Sequence, residues 1–213
     1  MKNKILVYDC TLYGKILGKF LEGELGVETK QIVDFSKLQD MSDREICEHI
    51  VRKIEPYVDS VMAILITCPL AVTVVAGELE KIFPKQRFVY LGKDIIDELK
   101  GSDKVAVLTL PRVRRTERYQ IRKAACQEAE IEELSCTEWI GLMNKGWWGE
   151  EKIAKSFRHK LGIKLVIYHS AILLREKEVG EIVDWRGELI DVKKEVISPV
   201  RQAVREWTAD RKK

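Results

Sequence analysis

Short apolar runs alternate along this chain with stretches in which apolar residues recur every three or four positions. Ile5 to Tyr8 is a β-branched and aromatic run, the pattern of a buried strand. Leu12, Ile16, Leu17 and Phe20 fall at helical spacing, which predicts a helix from Leu12 to Leu21. Thr29 to Val33 predicts a second strand. Ser42 with Glu45 three positions on predicts a capping box, and Ile46, Ile50 and Val51 supply the apolar face of the helix it opens. Val61 to Thr67 predicts a strongly apolar strand. Pro69 suits the first helical position, and Ala71 to Ile82 continues as helix.

The second half repeats the alternation. Lys104 to Leu108 predicts a strand, followed by a basic turn and a helix from about Glu117 to Ala129. Glu130 to Ser135 predicts a strand, Glu150 to Leu161 a helix, and Lys164 to Tyr168 a further apolar strand. Leu189 to Val192 predicts a short strand and Ile197 to Asp210 a final amphipathic helix. Strands apolar enough to be buried on both faces, alternating with helices, imply a mostly parallel α/β sheet. The polar stretch Lys93 to Asp103, with Gly101, is the candidate boundary between two similar halves. The expected division is 1–95 plus 188–213 for the first domain and 96–187 for the second, with the last strand and helix returning to the first half.

Composition narrows the function classes. Of 213 residues, 46% are apolar and 33% charged, which fits a globular chain of one large or two small domains. Lys and Arg number 37 against 34 Asp and Glu, and a net charge of +3 argues against nucleic acid held through bulk charge. Five cysteines, an odd number at irregular spacing, argue against a secreted disulfide framework. No apolar run reaches the roughly 18–20 residues of a membrane span, and the short run before Asp9 reads as a strand and not a signal peptide. A reducing cytoplasm is the expected compartment. Neither a G-x-G-x-x-G turn nor a phosphate-binding P-loop occurs, which weakens nucleotide binding. Cys126 and Cys136 lack zinc-site spacing, so neither a metal nor another cofactor is expected.

Ligands of parallel α/β sheets bind at the carboxyl ends of the strands. The residues that close the strands therefore carry the candidate chemistry: Asp9 and Cys10, Asp34, Cys68, Thr109, Cys136, and His169 with Ser170. Cys68 is the most informative. A thiol just ahead of Pro69, at a helix start, sits where the helix dipole and unpaired N–H groups favour thiolate. The plainer alternative is a small core residue that happens to close a strand. His169 ends LVIYH and is either a structural histidine or a proton-transfer group. Asp9 either orients a base or substrate ammonium or caps the following helix. Cys10 has the same choice, with packing as its plainer role, and Cys47 and Cys126 read as packing.

Two further features stand out. PRVRRTER carries Arg112, Arg114, Arg115 and Arg118 against Glu117 alone, extended by Arg122 and Lys123. It is a solvated basic turn, a carboxylate- or phosphate-binding element, or a local patch for an anionic partner. Trp147 and Trp148, flanked by glycines, are core, lid or subunit contact.

The order of these landmarks resembles the aspartate/glutamate racemase superfamily, glutamate racemases most of all, from Ile5 to about Val204. Where the family opens with a strand and Asp-Ser-Gly, this chain has ILVY and Asp9-Cys10-Thr11. A strand ending in Asp and a Ser-x-x-Glu-Ile helix are matched by IVDF and Ser42 to Ile46. The strand before the family's first catalytic cysteine is matched by AILIT and Cys68-Pro69-Leu70. VAVLTL, the arginine-rich turn, Thr116 and Tyr119 follow in the family's order. So do Glu133-Leu134-Ser135-Cys136-Thr137, Tyr168-His169-Ser170-Ala171-Ile172-Leu173, and Leu189-Ile190-Asp191.

The resemblance implies two pseudo-symmetric, mostly parallel α/β domains with the active-site cleft between them. It implies cofactor-independent proton transfer beside a carboxylate, on a small carboxylic or amino acid. Homodimers occur among similar proteins, so self-association belongs to the same expectation. Carried over by position, Cys68, His169 and Asp9 are the catalytic candidates. Cys10, Thr11, Ser170, Thr116 and, from the basic turn, Arg112 are the substrate-binding candidates. The site departs from the family at several points. His169 stands where the second catalytic cysteine would be, and Ala171 replaces the histidine beside it. Pro69 and Leu70 replace a substrate-binding Asn and Thr, and Lys37-Leu38-Gln39 replaces Pro-Tyr-Gly. These departures open a second reading, a racemase-like binding module without catalysis.

Overall fold

A computed structural model describes residues 4–91, 104–126, 130–135, 137, 164–167 and 192–210. The chain forms two compact units, Met1–Lys93 together with Val192–Lys213, and Asp94–Asp191. Both are α/β.

In the first unit, β1 (Lys4–Asp9), β2 (Glu28–Val33), β3 (Ala63–Ile66) and β4 (Phe88–Tyr90) form one sheet in the order β2-β1-β3-β4. All its pairings are parallel. The apolar runs occupy its centre: Ile5 to Tyr8 and Ala63 to Ile66 are all 0% exposed. Burying each large member of this set contributes about 1.5–3 kcal/mol over leaving it in water. β4 has only three residues, too few to register as a period, and the sequence pattern did not disclose it.

Helix α1 (Tyr13–Leu25) forms where expected but turns a different face inward. Its buried residues are Gly14, Leu17, Gly18 and Leu21, while Leu12 and Ile16 are 56% and 51% exposed. The cause is close backbone approach. A Cβ on Gly14 would lie 2.6 Å from Asp9 Cβ, and one on Gly18 would lie 2.7 Å from Gln31 Nε2. Counting apolar residues misses a face that is buried because it is small.

Helix α2 (Asp43–Ile54) has the expected capping box, with Ser42 and Glu45 bonded reciprocally, and it buries Ile46, Ile50 and Ile54. The helix expected over 71–82 is instead two, α3 (Pro69–Val75) and α4 (Glu78–Ile82). Ala76 is extended and Gly77 has φ 89°, a left-handed conformation that interrupts the helix and favours glycine.

In the second unit, β5 (Lys104–Thr109), β6 (Glu130–Ser135) and β7 (Lys164–Ile167) are parallel in the order β6-β5-β7. The first three strands of each unit thus share one arrangement. The basic turn is partly helical, α5 (Pro111–Arg114), and α6 spans Glu117–Ala125. It stops short of Ala129 because Cys126, at φ −96° and ψ 50°, has left helical geometry. The helix expected over 150–161 lies outside the described residues.

The last helix, α7, runs Val192–Asp210 and touches β3, β4 and α1, so the C-terminal segment returns to the first sheet. Val192 is helical rather than the end of a strand; 189–191 lie outside the described residues. Pro199 sits inside this helix on an exposed position. The expected start at Ile197 falls five residues inside the observed helix. No helix among the described residues is long and apolar enough to cross a membrane.

Candidate functional site

The order β2-β1-β3-β4 reverses direction between β1 and β3, so the carboxyl ends of these two strands form a switch point, the usual ligand crevice of an open α/β sheet. Tyr8 pairs with Ile66. One step on, the Thr67 amide donates to the Tyr8 carbonyl at 3.0 Å, and the Thr67 hydroxyl lies within bonding distance of the same carbonyl and of the Asp9 carboxylate. Asp9 is 1% exposed. Its Oδ1 accepts from both the amide and the hydroxyl of Thr11, each at 2.7 Å. Thr11 Oγ1 in turn accepts from the Tyr13 amide at 3.3 Å. Asp9 and Thr11 therefore fix the turn that launches α1, and Asp9 also ties that turn to β3.

One residue further, Cys10 and Cys68 are the next opposed positions of the β1/β3 register. Cys68 is the N-cap of α3, 7% exposed, with Pro69 in the first turn. Cys10 is half-buried. Interaction with Cys68, then burial, then the nearby charges of Cys68, Asp9 and Asp34, push the Cys10 thiol well above its ordinary pKa. Cys10 accordingly remains a thiol at neutral pH. Local sequence offers packing as its plainer role; strand register, invisible in one dimension, makes it the partner of Cys68.

A second buried network adjoins the pair. Asp34, at the end of β2, accepts from the Tyr8 hydroxyl at 2.7 Å and from the Ser36 amide at 3.1 Å. His49 Nε2, on α2, lies 2.6 Å from Asp34 Oδ2. Burial of Asp34 opposes ionisation, but the bonds from Ser36, Tyr8 and His49 outweigh it and hold the carboxyl down to about 2. An ionised acceptor there calls for a proton on His49 Nε2. Tyr8 is held as a neutral phenol, by burial first, then by Cys10, Asp34 and Cys68 around it. His49 escaped the sequence reading. Its spacing of three from Ile46, on the buried face of α2, is the signal that could have found it.

In the second unit, Thr116 is 0% exposed and its hydroxyl donates to the Val113 carbonyl at 2.7 Å, so its proton is engaged within the turn. Arg112 lies on α5, half-buried. Its basic neighbours have a partner that local sequence does not reveal. Glu133 on β6 takes Lys123 at 2.9 Å and Arg114 at 3.8 Å, offsetting part of the positive patch. Cys136, Trp147, Trp148, His169 and Ser170 lie outside the described residues. Among the described residues no group of three His, Cys, Asp or Glu side chains gathers as a metal site. A cleft of about 460 Å³ lined by Glu55, Val58, Phe83 and Gln86 lies away from the switch point and holds none of the candidate groups.

No family model and no curated protein matches the chain. Solved structures do. Glutamate racemase from Francisella tularensis, in complex with D-glutamate, shares 18% identity over 98% of this chain and 81% of its own, at a TM-score of 0.73. The Escherichia coli glutamate racemase, in complex with L-glutamate and an activator, gives 15% identity, 96% and 83% coverage and a TM-score of 0.75. The enzyme from Aquifex pyrophilus gives 18%, 96% and 83%, and 0.69. With parallel sheets in both units and a likeness that spans nearly the whole chain, the protein has the glutamate racemase fold.

Proposed function

We propose that this chain is a cofactor-independent proton-transfer enzyme, similar in chemistry to amino-acid racemases. Its substrate is a small amino or carboxylic acid, and it acts on the carbon next to the carboxylate. The observation that carries the reading is the thiol of Cys68 at the β1/β3 switch point, in a fold shared with glutamate racemases whose structures hold glutamate. Cys68 is the acid or base on one side of the substrate carbon. Asp9 and Thr11 set the turn beside it. The opposite proton carrier is His169, which stands two positions beyond Ile167 in sequence, as Cys68 stands two beyond Ile66. An imidazole moves protons near neutral pH without a cofactor. Ser170 and Arg112 are the substrate contacts of the second unit, and Thr116, buried and bonded to Val113, holds the turn that carries Arg112. A cytoplasmic homodimer fits this reading. A related decarboxylase or isomerase, in which one thiol protonates or adds to the substrate, is its one-cysteine form.

The test is solvent deuterium exchange into a panel of small amino and dicarboxylic acids. Exchange at the α-carbon that falls at least 100-fold in Cys68→Ala supports the reading; unchanged exchange in that variant overturns the role of Cys68. The second reading, a binding module, is favoured by Pro69 and Leu70, both buried where the racemases place polar substrate contacts. Ligand-dependent thermal stabilisation without any exchange decides for it.

A further inference from the structure

The register that builds the switch point brings two thiols together, and proton transfer uses only one of them. We propose that Cys10 and Cys68 are a reversible dithiol–disulfide pair, a modification site whose reactant is a low-molecular-weight disulfide.

The argument is geometric. β1 and β3 are hydrogen-bonded neighbours, Tyr8 opposite Ile66, and the Thr67 bonds to Tyr8 and Asp9 carry that pairing past the ladder's end. Cys10 and Cys68 are the next opposed positions. Adjacent strands lie about 4.8 Å apart, inside the roughly 4.4–6.8 Å between Cα atoms that a disulfide spans. Residues 10 and 68 share the parity of Tyr8 and Ile66, which places both on one face, and both thiols lie near enough to the Tyr8 phenol to act on it. Cys10 is half-buried, which gives a small reagent access. Cys47 and Cys126 lie on α2 and at the end of α6, apart from this register.

The exchange balances without any group beyond the reagent. One sulfur of the pair, as thiolate, attacks a disulfide RSSR; the S–S bond breaks and RS⁻ leaves, taking up the proton that the attacking thiol released. The second sulfur, deprotonated in turn, attacks the protein sulfur of the mixed disulfide and expels the second RS⁻, which takes that proton. The protein gives up two electrons and two protons, and RSSR becomes two RSH. Because Cys10 retains its proton at neutral pH, the exchange accelerates as pH rises. In the disulfide, Cys68 has no S–H to give and no thiolate to accept, so turnover stops until a thiol reduces the pair. This last consequence alone rests on the proton-transfer reading.

The full chain is equilibrated with glutathione at graded ratios of disulfide to thiol, alkylated and mapped by peptide mass, with no substrate present. The expected result is two fewer alkylated thiols than the five in the sequence, with a Cys10–Cys68 cross-linked peptide that a dithiol reverses. Cys10→Ser and Cys68→Ser are each expected to stop at a single glutathione adduct on the remaining thiol. Full alkylation of both cysteines at oxidising ratios, a wild-type chain that halts at the mixed adduct, or a cross-link through other cysteines each overturns the proposal. The wild-type peptide map decides the matter by itself, even where a serine variant fails to fold. A cross-link formed in a protein that shows no deuterium exchange overturns only the enzyme reading.

Discussion

Replacing Gly14 by alanine tests the packing that holds Asp9 in place. On helix propensity alone the change gains up to about 1 kcal/mol. The structure reverses the sign. The new Cβ would sit 2.6 Å from Asp9 Cβ, with Asp9 Cγ and Cα at 3.6 and 3.7 Å. Carbon atoms prefer about 3.5–4.0 Å, so either α1 or the end of β1 must move by about 1 Å. Asp9 Cβ is attached directly to the backbone and has no flexible end to yield. Overpacking of this kind costs about 1–3 kcal/mol, and displaced Asp9 also loses bonds to Thr11 and Thr67. The net expectation is about 1–2 kcal/mol of destabilisation, read by urea unfolding. Gly23→Ala is the internal control: it lies on the same helix, and its Cβ would meet nothing within 4 Å. That variant is expected to gain up to about 1 kcal/mol. If Gly14→Ala matched it in stability, the close approach of α1 to Asp9 would be wrong.

Other consequences can be measured in the same protein. Asp34 titrates near 2 in the folded state, below its ordinary 3.8, so it contributes stability above the ordinary value and loses it as pH falls through the folded one. Its ionisation is worth about 2 kcal/mol. The stability gap between the native protein and Asp34→Asn should be widest at pH 7 and shrink below pH 4; a gap independent of pH would refute the charged network. Ser42→Ala removes one half of the α2 capping box and should cost about 1 kcal/mol. Ser42→Gly should cost only a few tenths; equal losses would deny the side-chain cap.

The parallel α/β class was legible because Ile5–Tyr8 and Val61–Ile66 are apolar throughout, which only strands buried on both faces require. The capping box was legible because Ser42 and Glu45 act within one turn. What stayed hidden needs three dimensions or smallness. Gly14 and Gly18 bury a helix face that apolar counting assigns to Leu12 and Ile16. Gly77 splits a helix through its backbone angle, which composition does not encode. Glu133 draws Arg114 and Lys123 from another strand. At the candidate site, Cys68 and Asp9 announce themselves by ending strands. The Cys10 contact follows from register, and the Asp34–His49 contact joins a strand end to a helix fifteen residues on.

The path of α7 also orders events during synthesis. Val200 and Ala203 bury themselves against an assembly whose strands were made more than a hundred residues earlier. The second unit is an insert within the first, so a ribosome delivers all of its strands before the first unit receives its last helix. Until then β3 and β4 wait without that cover, an intermediate for chaperones to shield. A chain released early, with every residue of the switch point present, would still lack the segment that closes its core.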